Sequence, residues 1–244
     1  QRVGSKPLAA FKKIVREGKR RMNSLEDVKS SKEFYQWHER LTNYLNTKNI
    51  EEFYCDLKMD GLAIELVYER GVLAQASTRG DGFIGEDVTQ NVRTIRTIPL
   101  RLKGNESMFP KTLIVRGEIF FTKKEFNRIN NEQLRKGEKI YANPRNVAAG
   151  SIRQLDPKMA KARKLNAFVY DIDFLNTDIP ESQSEEIVLL KKLGFEVNSH
   201  VEVCKSVSEV HKYYEKWAKK RHSLPYELDG IVIKINSRKI QEAL

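Results

Sequence analysis

The sequence predicts an α+β fold of antiparallel sheets flanked by helices, and three observations predict it. Leu62, Ile64, Leu66 and Tyr68 alternate with Ala63, Glu65 and Val67, which is the period of a half-buried strand. Glu69-Arg70-Gly71 then reads as a hairpin turn into Val72–Thr78, so the two strands run antiparallel. Ahead of them, Phe34, Trp37, Leu41 and Leu45 fall at spacings of three and four, one face of a helix over roughly 31–46 that Ser30 and Glu33 open as a capping box. With 244 residues, 40% of them hydrophobic, the chain is long enough to bury a sizeable core.

Taken in order, the chain begins with a basic cluster of Lys6, Lys12, Lys13, Arg16, Lys19, Arg20 and Arg21. After the helix, strand character starts near Phe53 and leads into Cys55-Asp56-Leu57-Lys58-Met59-Asp60-Gly61. Lys58 thus stands at the end of one strand, beside two acids and before a Gly turn. Two readings fit that position: an exposed turn lysine, or a covalent nucleophile activated by its surroundings. Thr78-Arg79-Gly80-Asp81-Gly82-Phe83-Ile84-Gly85 follows the hairpin. Its glycines would let the backbone approach a ligand, and Arg79 could meet a phosphate or a ribose oxygen; a plain Gly-rich loop is the alternative.

The next strand, Thr112–Phe121, is interrupted by Arg116-Gly117-Glu118, and an inward-facing Glu118 needs a cation, a metal or a ligand hydroxyl. Lys123–Arg135 reads as a helix with Phe126 and Ile129 inward. Asn143 is the N-cap and Pro144 the first residue of another helix, on which Arg145 and Arg153 lie about two turns apart on nearly one side. That spacing suits neighbouring phosphates of a nucleic-acid strand, or two ordinary surface arginines. Ala167–Ile172 is a strand whose Tyr170 could stack on a base. Glu185–Leu193 and Val207–Trp217 are amphipathic helices without evident chemistry. Glu227–Ile235 reads as a buried strand with one lysine, Lys234, which calls for an anionic partner.

The net charge of +11, from 44 Lys+Arg against 33 Asp+Glu, suits a polyanion such as nucleic acid, or a solvated basic surface. Cys55 and Cys204 are too few for a disulfide framework, and no Cys/His spacing resembles a zinc site. The four histidines are scattered. No apolar run is as long as a membrane span and no signal peptide is visible, so a cytosolic protein without membrane contact is expected; a monomer is expected as well. With Gln1 in place of an initiator Met, the chain is expected to be an excised piece.

Five stretches in fixed order carry a resemblance. They are Lys58-Met59-Asp60-Gly61; Thr78-Arg79-Gly80-Asp81-Gly82 with Gly85-Glu86-Asp87-Val88-Thr89; Val115-Arg116-Gly117-Glu118; Asn143-Pro144-Arg145-Asn146 through Ser151-Ile152-Arg153-Gln154-Leu155-Asp156-Pro157; and Asp229-Gly230-Ile231-Val232-Ile233-Lys234. Together they make the chain, from Gln1-Arg2-Val3-Gly4 to Ile235-Asn236-Ser237, similar to the adenylation domain of bacterial NAD-dependent DNA ligases. The resemblance implies the nucleotidyltransferase (ATP-grasp-like) fold shared with capping enzymes. It implies that Lys58 attacks the α-phosphate of NAD, expels nicotinamide mononucleotide and holds AMP as a phosphoramidate. AMP then passes to the 5′-phosphate of nicked double-stranded DNA, and the 3′-hydroxyl displaces it in replication and repair.

In the same resemblance, Lys234 balances charge on the α-phosphate and Glu118 contacts the ribose or a metal, Mg²⁺ or Mn²⁺. Tyr170 stacks on adenine, Ser24 and Leu25 lie near adenine and ribose, and Arg79 follows the nucleophile hairpin. Asp60 and Asp229 orient the two lysines or assist the metal, and Arg145 and Arg153 hold the DNA. Asp56 stands where the family usually has Glu, one methylene longer, near the adenine. Arg21-Met22-Asn23 stands where it usually has Pro-Met-Leu. Residues 1–50 are expected as a basic, helical lead-in and 51–244 as the catalytic core. A subdomain for the nicotinamide half of NAD is expected before Gln1. A further lysine-bearing strand and OB, zinc-finger, helix-hairpin-helix and BRCT modules are expected after Leu244. The alternatives are an ATP-dependent RNA ligase or capping-type enzyme, against which the Thr-Arg-Gly-Asp-Gly and Asn-Pro-Arg-Asn stretches speak, and an inactive basic nucleic-acid-binding module. Lys58, Glu118 and Lys234 speak against the second, because phosphate binding to DNA needs no such set.

Overall fold

From the N-terminal end, the described residues of this computed structural model (11–16, 21–47, 50, 52–177 and 179–244) begin with a short strand, β1 (Lys13–Val15). Of the basic cluster, Lys6, Lys19 and Arg20 lie outside the described residues, as does Gln1-Arg2-Val3-Gly4. Helix α1 (Ser31–Tyr44) starts at Ser30, whose hydroxyl accepts from the Glu33 N–H at 3.2 Å. The expected reciprocal bond is displaced by one residue, since the Glu33 carboxylate accepts from the Lys29 N–H at 2.7 Å.

Strands β2 (Phe53–Met59), β3 (Leu62–Glu69) and β4 (Val72–Thr78) follow. The β3–β4 turn holds Arg70 at φ +47° and Gly71 at φ +79°, the doubly left-handed geometry whose twist suits a two-residue hairpin. Then come β5 (Ile84–Glu86), α2 (Thr89–Val92), β6 (Thr112–Phe120), α3 (Lys123–Arg135), α4 (Pro144–Ile152), α5 (Pro157–Ala162) and β7 (Asn166–Leu175). The chain continues through α6 (Gln183–Lys192), β8 (Glu202–Cys204), α7 (Val207–Lys220), β9 (Leu228–Ile235) and α8 (Arg238–Glu242). No helix among the described residues is long and apolar enough to cross a membrane.

Two antiparallel sheets dominate, in the orders β8-β2-β9 and β4-β3-β6-β7, and β1 pairs with β5 beside them. Alternation assigns their faces. Phe53, Cys55, Leu57 and Met59 of β2 pack with Phe34 and Leu41 of α1 and with Val210, Tyr213 and Trp217 of α7. Ile64 and Leu66 of β3, Val115 and Ile119 of β6, and Val169 and Ile172 of β7 join a second core with Ile129, Ala148, Ile152 and Leu190 from the helices. The intervening residues, Asp56 and Lys58 on β2 and Arg116 and Glu118 on β6, therefore lie on the opposite faces of these strands, which they share with the core residues Tyr54 and Phe120. An ion pair from Lys234 of β9 to Asp171 of β7, at 2.6 Å, joins the two polar faces.

Strand β7 meets the second core with Ala167, Val169, Ile172 and Leu175, spaced by two, three and three residues. A regular strand cannot do this. Its pairing with β6 slips twice, between Ile114 and Val115 and between Arg116 and Gly117, and each bulge inserts an extra residue on β7. The slip between Arg116 and Gly117 lets Tyr170 and Asp171 both leave the core side between Val169 and Ile172. Strand β9 also departs from its sequence pattern: it is an edge strand, so Ile231, Val232 and Ile233 are half-buried rather than enclosed.

Candidate active site

Lys58 emerges on the polar face of β2, opposite Gly230 of β9. Its Nζ donates to Asp229 Oδ2 at 2.6 Å. Lys234, opposite Tyr54, lies on the same face of the same strand pair. The turn after Lys58 passes so close to β6 that a Cβ on Gly61 would overlap the Ile119 carbonyl oxygen and come within 2.8 Å of Glu118 Cγ. Only glycine fits this approach. Gly61→Ala is expected to cost about 2–3 kcal/mol, read as a lower melting temperature, because the obstructing group is backbone rather than a movable side chain.

That approach brings Glu118, half-buried and opposite Ala63, toward the nucleophile candidate. Burial pushes its carboxyl up to about 8, against the opposing pull of Arg145, Lys58 and Arg79 and with a further push from Asp229. Arg145 comes from the start of α4, where the Asn143 side chain caps the N–H groups of Arg145 (2.7 Å) and Asn146 (3.3 Å). Its guanidinium lies 3.7 Å from Asp60. Lys58, Asp60, Glu118, Arg145 and Asp229 thus form one charged cluster.

Arg153 is not part of it. At the C-cap of α4, its Nε donates to the fully buried Glu86 at 2.6 Å. Arg145 and Arg153 therefore both engage carboxylates of the domain, at opposite ends of the helix, instead of sharing one open stripe. Arg153→Ala removes a charged donor from a buried carboxylate and is expected to lower stability by about 2–4 kcal/mol, measured by denaturant titration.

Across the cluster, Lys234 donates to Asp171 at 2.6 Å and to Gln183 Oε1 at 3.0 Å. Burial pushes the Asp171 carboxyl up, but Lys234, Arg116 and Arg238 outweigh it and bring the group below its ordinary range. Behind it the fully buried Glu186 accepts from Ile172 N–H, Gln183 and Arg238. Its carboxyl rises to about 7, chiefly through burial and then through Asp171. Burial likewise raises the Tyr170 phenol.

Asp56 sits deeper than expected. It is 7% exposed and accepts from Leu57 N–H (2.6 Å), Asn198 Nδ2 (2.6 Å) and the Tyr54 hydroxyl (3.3 Å). Burial carries it up to about 6 despite these donors. Arg79 reaches the Ser24 hydroxyl at 3.1 Å, while Leu25 is exposed. The Gly-rich loop needs its glycines for its own folding as well: Gly80 has φ +59°, and a Cβ there would run into the Ile84 carbonyl.

Asp171, Gln183 and Asn198 escaped the sequence reading. The acid pair Asp171-Ile172-Asp173 inside a strand was a usable signal, parallel to the lone lysine of β9. Gln183 and Asn198 carried none, because their partners lie 51 and 142 residues away.

Comparison with known proteins identifies the family of the chain. Residues 8–244 match the family described as the NAD-dependent DNA ligase adenylation domain. The DNA ligase of Acetivibrio thermocellus is 44% identical over 244 residues, covering 100% of this chain and 36% of that protein. The DNA ligase of Natranaerobius thermophilus is 42% identical over 245 residues, with 100% and 36% covered. The chain thus spans about a third of the length of these relatives. A solved structure titled mycobacterial DNA ligase D complexed with ATP and MES aligns at 12% identity and a TM-score of 0.43, over 76% of this chain and 49% of that one, too loosely to carry an argument. On the family match and the two alignments that span this whole chain, the chain belongs to the NAD-dependent DNA ligase adenylation domain family.

Proposed function

We propose that this domain performs the self-adenylation step of a NAD-dependent DNA ligase, with Lys58 as the acceptor of AMP. The observation that carries the proposal is Lys58 at 2.6 Å from Asp229, on the same strand-pair face as Lys234 and beside Glu118. In the step, Asp229 takes a proton from Nζ. The freed lone pair forms a bond to the α-phosphorus of NAD, the bond to the second phosphate breaks with its electron pair leaving on nicotinamide mononucleotide, and the nitrogen gives up its second proton to solvent to become the phosphoramidate. Lys234, released from Asp171, faces the charge that builds on the α-phosphate oxygens. Asp60 orients Arg145 beside Glu118.

The AMP moiety would be held by Tyr170 against adenine, by Glu118 and Arg79 at the ribose, and by Ser24 and Leu25 at the rim, with Asp56 behind the base. Among the described residues, no three His, Cys, Asp or Glu side chains gather as a cation cage. A divalent ion such as Mg²⁺ still suits Glu118, one carboxylate completed by the substrate's phosphates being a common arrangement. The raised Glu118 carboxyl fits this, because a nearby cation would stabilise its ionised form. Bound there, the ion would supply charge neutralisation at the α-phosphate.

In the full-length protein, AMP would then pass to the 5′-phosphate of nicked DNA and be displaced by the 3′-hydroxyl. Residues 51–244 would form the core of a cytosolic monomer, with Arg145 and Arg153 on the DNA side. Family membership weighs against the capping-type and non-catalytic alternatives. The test is to treat the full-length protein with NAD and Mg²⁺, weigh it intact and map the adduct by peptide fragmentation. One AMP on Lys58 is the expected result. An unmodified protein, or an adduct on another residue, overturns the proposal.

A further inference from the structure

Arg16 is the one described member of the N-terminal basic cluster that is buried, at 5% exposure. Its Nε donates to Glu65 at 3.2 Å. Its Nη1 donates to the carbonyls of Arg79 (3.1 Å) and Gly82 (3.5 Å). Its Nη2 donates to the Thr78 carbonyl (2.8 Å) and the Ser77 hydroxyl (3.1 Å), and its backbone N–H donates to Phe83 O at 2.9 Å. Apart from Glu65, every acceptor lies in the segment 77–83.

Three carbonyl oxygens from Thr78, Arg79 and Gly82 turn inward onto one cation, while the Asp81 carboxylate ties the loop from outside through the N–H groups of Phe83 (2.8 Å) and Ile84 (2.7 Å). A guanidinium can serve such a set because its donors fan out in a plane; a lysine ammonium offers a single point. What the loop presents is Arg79, whose Nη1 meets Ser24. The segment carrying Ser24 is tied down alongside, through Met22 N–H to Gly82 O at 3.1 Å and Arg21 over the Phe83 ring at 4.4 Å.

We propose that Arg16 is a positioning residue: by gathering the loop carbonyls it sets where Arg79 and Ser24 stand against the nucleotide, and so governs affinity for NAD rather than the chemistry at Lys58. The proposal rests on the self-adenylation reading. It predicts a separation between two ways of disturbing Arg16. Arg16→Lys keeps the charge beside Glu65 but loses the fan of loop contacts. Glu65→Gln removes the ion pair and leaves the loop contacts in place.

The experiment follows the rate of AMP uptake by the full-length protein against NAD concentration, with melting curves for each variant. Arg16→Lys is expected to raise the half-saturating NAD concentration about tenfold and to leave the limiting rate within about twofold. Glu65→Gln is expected to lower the melting temperature with half-saturation unchanged. Ser77→Ala, a milder change that deletes one of the loop contacts, is expected to raise half-saturation about twofold to threefold. A folded Arg16→Lys or Ser77→Ala with wild-type half-saturation overturns the proposal, and so does an equal shift in Glu65→Gln, which would reduce Arg16 to a stabilising contact. Wild-type protein that takes up no AMP overturns this proposal together with the assignment of Lys58.

Discussion

Lys58→Ala is expected to take up no AMP from NAD, and Lys58→Arg none either. The alanine removes the attacking nitrogen. The arginine keeps the positive charge beside Asp229, but a guanidinium does not give up its proton, so no lone pair becomes available. Neither loss should come from misfolding. The Lys58 and Asp229 side chains are 37% and 26% exposed, and a pair so open to solvent contributes under about 1 kcal/mol. Both variants should therefore melt within a few degrees of the wild type while intact mass shows no adduct. An AMP adduct on Lys58→Ala would move the nucleophile elsewhere, with Lys234 the next amine to examine.

Glu118→Gln should make the protein more stable and less active at once, with the stability gain growing as pH rises from about 5 through about 8. A carboxyl whose folded pKa is raised binds its proton more tightly folded than unfolded. Its contribution is thus fully present in acid and is lost as pH rises from the ordinary carboxylate range through about 8. Glutamine has no such loss. The two proteins should melt alike near pH 5, and the variant should gain about 2 kcal/mol by pH 9, allowing for solvent at the half-buried position. Self-adenylation should fall by two orders of magnitude or more, since an amide replaces the carboxylate assigned to the ribose or the metal. Melting curves with no pH-dependent difference would show that Glu118 is not held against its charge.

Much of this was legible before the structure. The Arg70–Gly71 hairpin, the Asn143 cap and the strand end at Lys58 are decided by neighbours along the chain, so local pattern exposes them. The five stretches that brought Lys58, Arg79, Glu118, Arg145 and Lys234 into one family pattern did so without showing who touches whom. Partnerships across the sheets were invisible. Nothing near Arg16 in sequence distinguishes it from Lys12 or Lys13, which are exposed; only the arrival of Glu65 and the loop carbonyls does. Arg145 and Arg153 share a helix and similar chemistry, yet one meets Asp60 and the other Glu86. The depth of Asp56 likewise depends on Asn198, far along the chain.

The paired slips in β7 also constrain how this domain can change over evolutionary time. Because Val169, Ile172 and Leu175 keep a common face only by virtue of the two inserted residues, the strand behaves like a reading frame. Deleting one residue between Val169 and Ile172 would restore a regular ladder and leave room on the cleft side for only one of Tyr170 and Asp171. The ring assigned to the base and the carboxylate that holds Lys234 would then compete for a single address. Point substitutions can alter either one alone; a change of length there forfeits one of them.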